Sequence, residues 1–290
     1  MIPPQPGFSL TIHPYPKLIP WRSCSGGTIF PYVKASAASQ CLPMDPLFDL
    51  WHDVTSSISW NVPEDQLFPL VDLWRIALLD PEVSSWCANR IGLNSPLGLL
   101  LSKACQWSSK NYLLTLPRML SNAFWHRALG WKVLLSAQNN LAILLEHTLA
   151  HEDHGIRLSA SSLAFNTFSR LQELRLENLQ KGDEEETDHL EMEISLTVLN
   201  AEWEASVLCA IIAAIERESD CDIAHRQVAT LGLILRFSPF IDHLLRLLAA
   251  LHAQSILKNK LREQRGNWKM TVCALLEEVA DKLCPPSVLI

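Results

Sequence analysis

Glycine-rich phosphate loops, closely paired cysteines, basic clusters and long apolar runs are all missing from this sequence, and each absence removes a class of function. Only 10 of the 290 residues are glycine, and no GxGxxG, GxSxG or P-loop pattern occurs, so neither a nucleotide cradle nor a serine-hydrolase elbow is written in the chain. The eight cysteines never fall at CxxC spacing, which argues against a zinc ribbon or a redox pair. Cys105, Cys209 and Cys273 sit in apolar runs, where a thiol is inert, because thiolate chemistry needs an electropositive, accessible setting. The eight read as buried reduced thiols, the state expected in the cytoplasm or nucleus. Lys258, Lys260, Arg262 and Arg265 are the nearest thing to a basic patch, and the net charge is −7. A phosphate backbone is not a fitting partner for such a surface. The stretch from Val207 to Ile215 is the longest apolar run, far short of the ~20 residues a membrane span needs. Pro3, Pro4, Pro6, Pro14 and Pro16 interrupt any signal-peptide core at the N-terminus. Sustained period-two alternation with β-branched residues is also absent, so strands are not expected.

What the chain does have is apolar residues at helical spacing. Hydrophobic residues make up 48% and charged residues only 19%, enough to build a sizeable core. Residues 1–43 stand apart. Proline recurs there at positions 3, 4, 6, 14, 16, 20, 31 and 43, and proline fixes φ and removes an amide donor. This segment reads as an extended arm or linker whose aromatic residues, Phe8, Tyr15, Trp21, Phe30 and Tyr32, either pack on the domain or belong to a partly ordered tail. From residue 44 to 290 the chain reads as one helical domain. Helices are expected from Asp45, from Pro63 to Leu79, and at about 96–106, 110–128, 138–151, 156–178, 189–200, 202–217, 220–236, 239–257 and 268–283. The run Asp183-Glu184-Glu185-Glu186 reads as a solvated loop.

Four of these helices are apolar nearly all round: 67–79, 113–124, 158–171 and 205–215. Such helices are buried between others. Laid in register, they align Arg75, Arg118, Ser162 and Ser206 at spacings of 43, 44 and 44, with Leu79, Asn122, Asn166 and Ala210 one turn later. A recurrence of that length is the mark of armadillo and HEAT repeats. The expected fold class is therefore all-α, an armadillo/HEAT-like right-handed helical solenoid with a concave groove. Arg75, Arg118, Asn122 and Asn166 are the candidate groove residues. Each Asn has a second reading, that it satisfies a neighbouring carbonyl. Trp74, Trp125, Ser162 and Ser206 are candidate wall residues, and core packing is the competing reading of the two tryptophans. His151-Glu152-Asp153-His154 lacks HExxH spacing and sits at a helix junction, where Asp153 fits a cap better than a metal ligand.

The segments Leu50-Trp51 through Pro63-Glu64-Asp65, Leu67-Phe68-Pro69, Asp72, Arg75, Asp80-Pro81-Glu82-Val83, Pro117–Phe124, Ser161–Asn166 and Ala205–Ile215 resemble the PUL domain in order and spacing. That is the C-terminal module of phospholipase-activating protein and its yeast ubiquitin-fusion-degradation counterpart. The resemblance covers roughly 45–283. It implies an armadillo-like fold, no catalysis and no cofactor. It also implies a groove for the C-terminal tail of valosin-containing protein, the AAA ATPase segregase of ubiquitin homeostasis and proteasomal turnover. Other ubiquitin-pathway proteins are further partners it suggests. Members carry a basic residue where this chain has Ser206, which makes the groove less cationic. The alternative is an accessory domain split from a PPPDE deSUMOylating or deubiquitinating enzyme, or from a thioredoxin-fused one.

Overall fold

The computed structural model describes residues 44–90, 95–104, 109–180 and 201–285. Among them the regular structure is helical throughout, with no strand. The reading of residues 1–43 and of a helix at 189–200 falls outside these residues.

The first helix, α1 (Met44–Asn61), is followed by a 3₁₀ turn (Glu64–Gln66) and α2 (Phe68–Ala77). Pro69 sits in the first turn of α2, where a missing amide costs nothing. The pair Asp80-Pro81, expected only to end this run, also starts a new helix, α3 (Pro81–Ala88). The Asp80 carboxylate accepts from the Glu82 amide at 2.8 Å, so the proline that stops one helix is the favoured first residue of the next. Next come α4 (Pro96–Ala104), α5 (Lys110–Ala123) and α6 (Arg127–Leu149). The expected start of α6 at 138 reflects a real break: Ala137 is non-helical (φ −143°, ψ 24°), and a first half precedes it. α7 (His154–Gln180) and α8 (Ala201–Arg217) follow, then α9 (Cys221–Phe237), capped by Asp220. The single helix expected over 239–257 is two, α10 (Ile241–Ala250) and α11 (Ala253–Gln264), parted at His252, which has φ 53°. α12 (Met270–Glu278) runs into a π turn (Val279–Leu283).

Contacts between elements sort the helices into two layers. In one, α2 packs on α5, α5 on α7, α7 on α9 and α9 on α12. In the other, α3 and α4 pack on α6, α6 on α8, and α8 on α10 and α11. Short connections carry the chain back and forth, so α6 also lies on α7, and α8 on α9. This is a helical solenoid: no hairpin covers its own apolar face, and stacking merges the faces into one continuous core. That core runs from Leu67 and Trp74 through Leu120, Phe124, Leu163 and Ile211 to Leu257 and Leu276.

The layers correct one step of the repeat. Helices α2, α5 and α7 are successive rungs, as the 43- and 44-residue spacings predict. The next 44-residue step lands on α8, which lies in the opposite layer; the fourth rung is α9. Residues 205–215 are apolar because α8 is wedged between α6 and α9, not because they continue the ladder.

Candidate peptide-binding face

The rung helices are cross-linked by polar side chains that reach carbonyls, and in one case a hydroxyl, of the preceding rung. Asn122 of α5 donates its amide to the Arg75 carbonyl of α2 at 2.8 Å. Asn166 of α7 donates to the Ser121 carbonyl at 3.3 Å, and Gln227 of α9 donates to the Ser161 hydroxyl at 3.2 Å. One turn further on, the His126 Nε2 meets the Leu78 carbonyl at 2.9 Å. Arg170 donates to the Phe124 carbonyl at 3.1 Å and the Trp125 carbonyl at 2.8 Å. These carbonyls are at or near helix C-termini, where no intrahelical partner is available.

That geometry decides the role of the two asparagines. Asn122 is 0% exposed and Asn166 3%, and their amides are committed to the ladder. Their placement among groove ligands is therefore corrected: a peptide on the surface does not reach them. Trp74, only 1% exposed, is core, with its ring edge-on to Trp51 at a 5.7 Å centroid distance. Ser162 is buried and donates back to the Leu158 carbonyl at 2.8 Å, as mid-helix serines do. Ser206 is exposed but sits on α8 in the opposite layer, so it is not a wall of this face. The basic residue expected at its place would not enlarge the charge of the ladder.

Arg75 and Arg118 are brought together. Arg75 is buried where α2 packs on α5, and its Nε donates to Asp72 at 2.7 Å, so its charge is already paired. Arg118 projects from α5 toward α7, where its Nε donates to the Ser159 hydroxyl at 3.0 Å. Burial first, and then the positive charge of Arg75, hold the Arg118 guanidinium below its ordinary value, while Asp72 and Asp153 pull the other way. Arg118 thus lies partly exposed, one rung from the Arg75–Asp72 ion pair, in a partly desolvated place where a guanidinium gains from an added carboxylate. Trp125, 38% exposed, lies just past the C-terminus of α5 on the same ladder layer.

Sequence reading missed Ser159, His126, Arg170 and Gln227. The 44-residue register pairs His126 with Arg170, so the recurrence carried a signal for these two; nothing marked Gln227, because its rung is set 66 residues from its partner.

His151–His154 is a cap. Asp153 Oδ1 accepts the Ile156 amide at 3.1 Å, and His151 Nδ1 accepts the Asp153 amide at 2.9 Å. No group of three or more metal-binding side chains occurs among the described residues. Burial pushes the Cys87 and Cys284 thiols up to about 12. Burial and the nearby Glu146 also raise the Cys209 thiol, so none of these three is poised as a thiolate. No helix among the described residues is long and apolar enough to cross a membrane.

A stacked two-layer solenoid with a polar, arginine-bearing ladder is a helical-repeat interaction scaffold. The family model called PUL domain matches residues 37–275, and the chain belongs to that family. PUL domains bind proteins and are not known as catalysts. No curated protein and no solved structure matches the chain.

Proposed function

We propose that this chain is a non-catalytic adaptor whose ladder face receives an acidic peptide, with Arg118 and Arg75 as the carboxylate-binding pair. The single observation that carries the reading is the partly exposed Arg118 guanidinium on α5, one rung from the Arg75–Asp72 ion pair of α2. A partly desolvated guanidinium favours an anionic guest, and it meets carboxylate in a bidentate, charge-assisted geometry. Trp125 offers an exposed aromatic surface for a peptide side chain.

The kinship with PUL domains makes the C-terminal tail of valosin-containing protein the guest of choice. This would place the chain in ubiquitin homeostasis and proteasomal turnover, in the cytoplasm or nucleus. A C-terminal tail brings a terminal carboxylate, and the tail of an acidic peptide brings more along its length. The test is calorimetric titration of the full chain with the tail peptide, beside the same peptide with its acidic side chains neutralised. Binding of the first, weakened by salt and lost in the second, supports the reading. Equal binding of both, or of neither, sinks it.

A further inference from the structure

A cavity of about 210 Å³ lies where the C-terminal ends of α6 and α8 meet the start of α7. Leu149, Ala150 and Ala214 form its apolar wall, and His151, Arg157, Arg217 and Glu218 its polar side. Cavities for drug-sized ligands run to ~300–1,000 Å³, so this one suits a small group. The hydrogen bonds around it decide the chemistry of that group.

Glu218 is buried and fully engaged. Its Oε2 accepts the Arg157 Nε at 2.8 Å. Its Oε1 accepts the Arg157 Nη2 at 3.3 Å and the amides of Ser219 and Asp220 at 3.1 and 3.0 Å. One guanidinium thus balances this carboxylate. The Arg157 Nη1 also donates to the His151 and Glu152 carbonyls at 3.1 and 2.7 Å, so the carbonyls just past α6 are met as well. These bonds use four of the five N–H groups of Arg157, and one on Nη2 is left over. His151 accepts the Asp153 amide on Nδ1 at 2.9 Å, which puts the proton of its neutral ring on Nε2 as a further donor. Arg217, exposed in the last turn of α8, makes no ion pair or hydrogen bond among the described residues. What is unsatisfied around the cavity is therefore all donor, and the charge of Arg217 is uncompensated. The three donor residues come from α7, α8 and the turn between α6 and α7. A carboxylate offers two oxygens, whereas a phosphoryl group offers three acceptor oxygens and more negative charge.

We propose that this cavity binds a phosphoryl group, with Arg217 as its main contact and His151 and Arg157 completing the site. The group is free inorganic phosphate or the phosphate monoester of a phosphorylated side chain. The site shares no residue with Arg118, Arg75 or their partners, so it stands apart from the peptide-binding reading.

The experiment follows the arginine Nε–H signals of the full chain, carrying isotope-labelled arginine, by NMR at constant ionic strength. Inorganic phosphate is titrated in one arm and N-acetyl-O-phosphoserine methylamide in the other. Chloride and the unphosphorylated serine derivative are the controls. A saturable shift of the Arg217 and Arg157 signals is expected with the phosphate-bearing probes alone. Tighter binding of the phosphoserine derivative identifies a phosphorylated chain as the source, and tighter binding of inorganic phosphate identifies the free anion. In Arg217→Glu the Kd read at Arg157 should rise about ten-fold or more, because a charge-assisted contact is replaced by repulsion. Arg217 is exposed, so circular dichroism and melting temperature should be unchanged by that substitution. Arg118→Ala should leave the shifts at Arg217 as they are. No saturable shift at Arg217 with either probe, the same shift with chloride, or a Kd unaltered by Arg217→Glu would overturn the proposal.

Discussion

Asn122 is the clearest case of one side chain holding two rungs. Its amide lies fully buried on the Arg75 carbonyl. Truncation strands a buried acceptor, which costs about 1–3 kcal/mol. Asn122→Ala should therefore lower the chemical-denaturation midpoint by that amount and leave peptide affinity per folded molecule nearly unchanged; an affinity loss with no stability loss would return Asn122 to the groove. His126 gives the ladder a pH dependence. Burial first, and the charge of Arg170 with it, hold its imidazole below its ordinary value of 6.5, against the Leu78 carbonyl and Asp80. Burial and Arg226 shift His225 the same way. A histidine whose folded-state pKa is depressed binds its proton more readily unfolded, so stability falls as pH drops below about 6.5. Melting temperature should decline between pH 7.5 and pH 5.5, and His126→Gln, which keeps a donor for Leu78, should flatten part of that slope. A melting temperature indifferent to pH over this range would contradict the assignment.

Most helices could be read from apolar spacing, because in a stack each helix buries a stripe and the stripe recurs at the helical period. Boundaries were harder where backbone geometry, not composition, makes the break. Asp80-Pro81 both stops α2 and caps α3, and a proline signals either event. Ala137 and His252 interrupt helices without a breaker residue in sequence. At His252 the chain takes a left-handed turn with φ 53°, a conformation that costs a side-chain-bearing residue about 1 kcal/mol and glycine little. The ring makes no N-cap bond there. His252→Gly should consequently raise stability by up to about 1 kcal/mol, less the entropy of a freer unfolded chain, as read from an equilibrium urea curve. A loss of more than that would mean that the imidazole has a role in the α10–α11 joint.

The whole stack explains which part of the site was visible beforehand. Arg75 and Arg118 stand on α2 and α5, two true rungs, so register alone placed them together. The same register sent Ser206 to the wrong layer, because α8 and a rung helix are equally apolar and spacing does not tell layers apart. The asparagines were legible as recurrent polar residues in buried helices, but whether each meets a guest or a carbonyl depends on the distance between neighbouring helices, which no sequence pattern records. What the architecture leaves at the surface of the ladder is Arg118, with Arg75 buried behind it against Asp72. Arg118→Ala titrated with the acidic tail peptide, with a thermal melt run in parallel, is the most direct test of this account. The predicted result is an affinity loss of about 1–3 kcal/mol at nearly unchanged melting temperature; lost stability with unchanged affinity per folded molecule would show that Arg118 only braces α5 against α7.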